Sequence, residues 1–331
     1  MTKRDLTKGC FSSIAEDTFE GKAIKRLMFC YLSVGCAHYR REEGGCTMCA
    51  FPAISTLGEP VSVADLNAQL DNCLAEVDWE GEGLSELNLF CSGSFFNDEE
   101  IPPPVRAHAI KRARELKGLK KLLVESRPEY IDVKKIRKTV SGLGPDIRLE
   151  VAIGLESAND HVREEVINKG FGRDEFEDAL AALGKGGAAL LVYLFLKPPG
   201  LSEREALEDT EESVRYVFSR AEQFGLPHVT AAVQPAFVQR EGYLYSLYER
   251  GEYKTPWLWT VVELIKRVHG LGEVQIGTSE DSPPPIDTRK NCGECDEKVE
   301  QAISRYNETQ KIEVFADLTC PCQKRWSAEL V

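Results

Sequence analysis

Three cysteines near the N-terminus carry the most specific chemistry in the chain. In the segment VGCAHYRREEGGCTMCAF, Cys36, Cys46 and Cys49 fall within fourteen residues. Thiolates are soft ligands that select zinc or iron-sulfur centres, and CxxC spacing lets two sulfurs face one centre. If three cysteines bind three irons of a 4Fe-4S cube, the fourth iron is left open to chelate a second ligand. A zinc shell completed by His38, closed and tetrahedral, is the competing reading. Burial of one or more of the thiols as small hydrophobes is the third.

A second group lies near the C-terminus, where Cys292-x2-Cys295 and Cys320-x-Cys322 flank the helical stretch VEQAISRY. A short tail with little core gains from a metal staple, and four thiolates suit structural zinc. An auxiliary iron-sulfur cluster and free thiols are the alternatives. The Pro-rich run SEDSPPPID precedes this tail and marks a boundary near Ser279. The expected organisation is an N-terminal extension over 1–25, a main domain over 26–279 and a Cys-rich extension over 280–331.

The elements that must position the first group read as alternating βα units. Strands are predicted at Leu27 to Val34, Leu84 to Cys91, Lys121 to Glu125, Leu149 to Gly154, Ala189 to Leu196 and Val229 to Val233. Amphipathic patterns such as ADLNAQLDNCLAEV and EREALEDTEESVRYVFSRAEQFG lie between them. Six βα units imply a parallel sheet buried on both faces. The first strand runs into the Cys-rich loop. The next four end at Cys91-Ser-Gly-Ser, Glu125-Ser-Arg, Gly154-Leu-Glu156 and Lys197-Pro-Pro, and the sixth ends at Gln234-Pro. Polar groups gathered at one end of every strand favour a partial barrel with one central site at its C-terminal rim. A structural zinc loop gives no reason for them, whereas an open cluster with a bulky organic ligand does.

Composition narrows the class. The chain has 331 residues, 42% hydrophobic and 29% charged, and a net charge of -13. These values exclude a disordered or fibrous chain, and the acidity disfavours a broad nucleic-acid surface, which needs clustered Lys and Arg. The longest apolar run, Ala188 to Leu196, is well short of the ~20 residues of a bilayer span. No apolar leader follows Met1, so a cytoplasmic, unanchored protein with reduced thiols is expected.

The motifs GCTMCAF, the SGS turn, ESRPEYI, GLESANDHVREEVINKGF, YLFLKPPGLSEREALED and RGEYKTPWLWTVVELI occur in this order over roughly residues 25 to 326. As a set they resemble the radical S-adenosylmethionine (SAM) superfamily in its branch near the elongator catalytic subunit, and more narrowly the archaeosine-forming radical SAM enzymes with their bacterial relatives. The superfamily commonly places three residues between its first two cysteines. Here nine separate Cys36 from Cys46, and Cys36 is preferred to Cys30 as first ligand because Cys30 sits inside the apolar strand.

The resemblance implies an α/β fold, a partial (β/α)6 TIM-like barrel with a small Cys-rich extension. It implies a 4Fe-4S cluster on Cys36, Cys46 and Cys49 whose open iron binds SAM, reductively cleaved to a 5'-deoxyadenosyl radical. Ser92, Gly93 and Ser94 would replace the glycine-rich turn that meets the methionine ammonium. Glu125 would serve ribose hydroxyls or the ammonium, Arg127 the carboxylate, and Glu156 the same shell or the substrate. Phe51, close behind CxxC, joins the cofactor set. Asn168, Lys169 and Gly170 in the INKGF turn, and Lys197, are further candidates. Each charged residue also has an ordinary reading as a salt bridge or a solvated turn. Tyr253, Trp257 and Trp259 could stack a base, but the VVELI that follows at helical spacing favours simple packing. No histidine is assigned a general-base role.

The implied reaction is tRNA modification by C-N cleavage of an archaeosine-type 7-deazaguanine precursor, with a ferredoxin or flavodoxin as reductant and no membrane partner. A radical SAM enzyme acting on a small molecule or peptide is the alternative. A zinc-dependent nucleic-acid-binding protein is the rival from another class.

Overall fold

A computed structural model describes residues 4–41, 44–240, 243–277 and 285–331. The predicted boundary near Ser279 lies outside the described residues. The chain folds as one curled sheet wrapped by helices. Strands β1 (Phe11–Phe19), β2 (Lys22–Cys30), β3 (Leu84–Phe90), β4 (Lys121–Glu125), β5 (Arg148–Glu156), β6 (Ala189–Leu196), β7 (Val229–Pro235) and β8 (Glu273–Ile276) lie side by side in sequence order. Only β1 runs antiparallel; every other neighbouring pair is parallel.

Helices α1 (Val63–Glu76), α2 (Pro103–Glu115), α3 (Val133–Leu143), α4 (Arg173–Gly186) and α5 (Glu203–Gln223) make the crossovers between β2 and β7. Further helices are α6 (Tyr243–Glu249), α7 (Leu258–Val268), α8 (Asp296–Thr309) and α9 (Gln323–Glu329). Local sequence starts them. Ser62 accepts from Asp65 N at α1, Asp132 from Lys134 N and Lys135 N at α3, and Ser202 forms a capping box with Glu205 at α5. Gly187 at φ 79° closes α4 in the left-handed region that glycine tolerates.

The six predicted strands correspond to β2 through β7, giving the expected (β/α)6 part-barrel. Two strands were not expected. The β1–β2 hairpin turns through Glu20 and Gly21, both at positive φ, a two-residue turn of the kind that matches strand twist. The edge strand β1 is mostly exposed, so FSSIAEDTF lacks the continuous apolar run of a buried strand. β8 has only four residues. Its outer edge is occupied by two amides. Asn307 pairs with the backbone of Ile276 at 2.9 and 2.8 Å, and Gln310 with that of Val274 at 3.1 and 3.0 Å. These bonds satisfy an edge that would otherwise invite pairing. Helix α8, which carries Asn307, also touches β1, so the sheet curls far enough for one helix to reach both edges.

Side chains alternate along the strands. Leu122 and Val124 face the helices, while Lys121, Leu123 and Glu125 face the barrel interior. Among the described residues no helix is long and apolar enough to cross a membrane.

Candidate active site and metal centres

The C-terminal ends of β2 to β6 deliver the predicted residues to one mouth. The Cys loop that leaves β2 is tied down on two sides. On one side Glu100, buried, accepts from Ala37 N at 2.9 Å, from Asn97 Nδ2 at 2.8 Å and from Ser94 N. A single carboxylate thus fastens the Cys36 segment to the Ser92-Gly93-Ser94 turn. On the other side Thr47 N donates to Ile167 O at 2.9 Å, Thr47 Oγ1 donates to Val166 O at 3.0 Å, and Asn168 Nδ2 donates to Gly45 O at 3.0 Å. His38 Nε2 lies 2.7 Å from Asn168 O, and its ring packs on Gly170, whose φ of 67° and lack of Cβ leave that space. The INKGF turn is therefore the second wall of the Cys loop.

The three thiols influence one another across this loop. Burial first, and then Cys46, push the Cys49 thiol up to about 12, with Cys36 adding in the same direction; burial also raises Cys36. Metal loading must displace protons from them. Among the described residues, the ligand group drawn together tightly enough to hold a single ion is the C-terminal set of four sulfurs, all within 4.8 Å of one another. His38, the fourth ligand of the alternative zinc shell, has its Nε2 turned to Asn168 O.

Ser92 (φ 54°), Glu156 (φ 67°) and Lys197 (φ 71°) are left-handed residues directly at strand ends. Non-glycine residues hold this conformation only where the surroundings impose it, and such sites concentrate at functional clefts. Ser94 is buried, and its hydroxyl accepts from Arg127 N at 3.1 Å. Glu156 pairs with Lys169 at 2.8 Å, both buried. Each nitrogen of the Arg127 guanidinium makes one hydrogen bond. Its Nε donates to Glu129 at 2.6 Å, Nη1 to Lys169 O at 2.9 Å and Nη2 to Gly170 O at 3.3 Å, while the guanidinium lies 5.3 Å over Phe171. It clamps the INKGF turn.

Lys197 is likewise paired, with Glu203, and its carbonyl accepts from Tyr253 Oη at 2.7 Å. Trp259 is buried and Trp257 half-buried, which supports packing over base stacking. Phe51 is 57% exposed. Glu100 was not legible: no spacing rule links it to Ala37, 63 residues away. His38, a ligand candidate by its place among the cysteines, acts as a fastener of the loop through Asn168 O.

Glu125 is half-buried at the end of β4, beside Tyr193 on the barrel interior. Desolvation raises its carboxyl to about 7, outweighing Tyr193 and Lys169, which lower it, while Glu156 adds to the rise. A carboxyl raised above its ordinary value stabilises the fold fully below the ordinary carboxylate range and loses that contribution as pH rises through about 7. Glu125→Gln is therefore expected to flatten the fall of Tm between about pH 5 and 8. Thermal melts across that range check it, and an unchanged slope would contradict it.

At the C-terminus, Cys292 Sγ lies 3.9 Å from Cys295 Sγ and 3.6 Å from Cys320 Sγ, and Cys295 Sγ lies 3.7 Å from Cys322 Sγ. The four cysteines predicted as a group are brought together.

No protein-family model matches the chain. It is 30% identical over 320 residues to the archaeosine synthase subunit beta of Methanosarcina acetivorans, a match that covers 95% of this chain and 87% of that one. It is 31% identical over 320 residues to the archaeosine synthase subunit beta of Thermococcus kodakarensis, with 94% of each covered. Among solved structures, the archaeal Elp3 of Methanocaldococcus infernus, with an N-terminal deletion, superposes with a TM-score of 0.51 at 17% identity. That match covers 78% of this chain and 61% of that one, and it is a likeness of fold.

Proposed function

The chain belongs to the family of archaeosine synthase beta subunits, a radical SAM branch, and from that membership we propose how its barrel mouth works. Cys36, Cys46 and Cys49 would hold a 4Fe-4S cluster, and SAM would bind beside it. The donor set fits. The three thiols share one loop and lie near enough for Cys36 and Cys46 to act on the Cys49 proton. When bound and reduced by a ferredoxin- or flavodoxin-type donor, cluster and SAM supply a 5'-deoxyadenosyl radical. The observation that carries this reading is the lacing of the Cys loop to two strand-end turns, through Glu100 on one side and through His38 and Asn168 on the other.

The chain's own residues then orient and enclose. The Ser92-Gly93-Ser94 turn receives the methionine end of SAM, because glycine lets a ligand approach the backbone and the hydroxyls accept hydrogen bonds. Glu156 and Lys169 stand as a buried pair in the wall of the Cys loop, where the lysine brings positive charge to the site. Glu125, titrating near neutrality, can hold or release a proton at its carboxyl oxygen. Arg127 acts by positioning the Lys169-Gly170 turn. Phe51 is exposed and serves the rim.

Gly93 offers a direct probe. A Cβ there would collide with the Glu100 carboxylate and meet Cys36 Cα at 3.0 Å. Gly93→Ala is expected to displace the Cys36 segment, lowering iron content and weakening SAM binding at least tenfold, the equivalent of about 1.4 kcal/mol. Iron analysis and SAM titration read the effect, and a variant with unchanged values would refute the close packing.

For the reaction, we propose that the substrate is a lysine-bearing 7-deazaguanine nucleoside in tRNA, whose C-N bond is cleaved to leave archaeosine. The relatives are named as subunits. A partner subunit that presents the tRNA suits a chain with a net charge of -13, too acidic to hold the polyanion over a broad surface. The test is anaerobic reconstitution with iron and sulfide, then SAM, dithionite and precursor tRNA, with nucleosides read by mass spectrometry. Formation of 5'-deoxyadenosine together with archaeosine is expected. A protein that forms no 5'-deoxyadenosine after reconstitution overturns the cofactor assignment, and 5'-deoxyadenosine with unchanged tRNA overturns the substrate.

A further inference from the structure

The C-terminal quartet is a site of another kind, apart from the barrel mouth. A zinc ion holds thiolates at about 2.3 Å, so the edge of a regular ZnS4 tetrahedron is about 3.8 Å. The three spacings of 3.6, 3.7 and 3.9 Å match that edge, and all four sulfurs lie within 4.8 Å of one another. A 4Fe-4S cube puts each thiolate on a separate iron and holds the four further apart than one shared ion does. The spacings are also much longer than a disulfide bond of about 2.05 Å. The arrangement is that of four ligands around a single ion.

The surroundings fit a closed tetrathiolate. Trp259 Nε1 donates to Cys322 Sγ at 3.2 Å, and Asn291 Nδ2 donates to Cys295 Sγ at 3.4 Å. Such N–H donors orient thiolates and disperse their charge. With all four positions filled by protein, no place is left for a substrate. A site of this composition accepts zinc or a lone iron, and zinc binds more tightly than ferrous iron to the same donors.

The ion would also brace the barrel. Trp259 and Thr260 lie on α7, Cys322 caps α9, and Trp326 of α9 donates from Nε1 to Thr260 Oγ1 at 2.9 Å. Thr260 donates in turn to Glu203, the partner of Lys197 at the end of β6. The tail thus reaches the mouth through one continuous set of hydrogen bonds.

We propose that Cys292, Cys295, Cys320 and Cys322 bind one zinc ion as a closed structural tetrathiolate that pins the C-terminal segment to α7. This is independent of the radical chemistry. The test is metal analysis of the full-length protein and of the variant with Cys36, Cys46 and Cys49 all changed to Ala. Both are expected to carry one zinc per chain, and the variant to have lost its iron-sulfur iron. Cobalt exchanged into the variant is expected to give the intense visible bands of a tetrahedral thiolate site. Zinc is expected to fall below a tenth of an equivalent in Cys320→Ser, whose altered residue lies at the half-buried side of the quartet. Should that variant fail to fold, extraction of zinc from the folded protein by a chelator, with a lower Tm restored by zinc, gives the same answer. Iron in place of zinc, or a folded variant free of metal with its four C-terminal thiols oxidised in pairs, would overturn the proposal.

Discussion

Replacing Cys46 and Cys49 together with alanine is expected to reduce SAM cleavage to background and remove the iron-sulfur absorbance, while the far-ultraviolet circular dichroism stays that of the parent. The loss is complete because a cube held by Cys36 alone has no chelate, and an open iron without its neighbours cannot be poised for SAM. The fold survives because neither thiol belongs to the main core; Cys46 sits half-buried at the margin of a small secondary cluster with Val162 and Ile167. The loop keeps its Thr47, His38 and Asn168 bonds, none of which needs sulfur. Zinc retained at one equivalent in the same protein would separate the two metal centres. Cleavage activity persisting in the double variant would remove the cluster from this loop.

The second large effect concerns the closed end of the barrel. Lys121 Nζ lies 3.0 Å from Glu86 and 3.1 Å from Glu150, all three groups nearly excluded from solvent. Lys121→Met keeps the volume but leaves two carboxylates without their cation. Breaking a buried pair in this way costs about 3–5 kcal/mol. Against a total stability of about 5–15 kcal/mol, that loss brings the protein near its unfolding threshold. The pH dependence has a definite sign. Burial already raises Glu86 to about 7 despite Lys121, and removing the lysine raises it further. Its contribution is present below the ordinary carboxylate range and is lost as pH rises, so the variant is expected to be less impaired at pH about 6 than at about 8. Adding Glu86→Gln and Glu150→Gln should recover part of the loss. Denaturant unfolding at the two pH values measures it, and a single variant within about 1 kcal/mol of the parent would show that the trio contributes little net energy.

Much of the fold follows from short-range pattern. The apolar runs of β2 to β7, the serine and aspartate caps of α1, α3 and α5, and the glycine that ends α4 are all readable within a few residues, since hydrogen bonding and side-chain period act over that distance. The edge strands escaped for the converse reason. β1 is stabilised by its hairpin with β2, and β8 by amides of Asn307 and Gln310 that are about thirty residues distant.

In the site the division is sharper. Residue types and spacing alone determined that three thiols share one loop, that four more gather near the C-terminus, and that polar groups stand at the strand ends. Tertiary structure alone decided which of those groups are free to act. Arg127 clamps the INKGF turn, His38 and Glu100 fasten the Cys loop, and Glu125 is lifted toward neutrality by desolvation. Ligand identity is a property of the residue, whereas availability, protonation and the spacing that tells one ion from a cluster depend on neighbours brought together by the fold, from 27 residues away for Cys295 and Cys322 to 130 for His38 and Asn168, which the amino-acid order does not display.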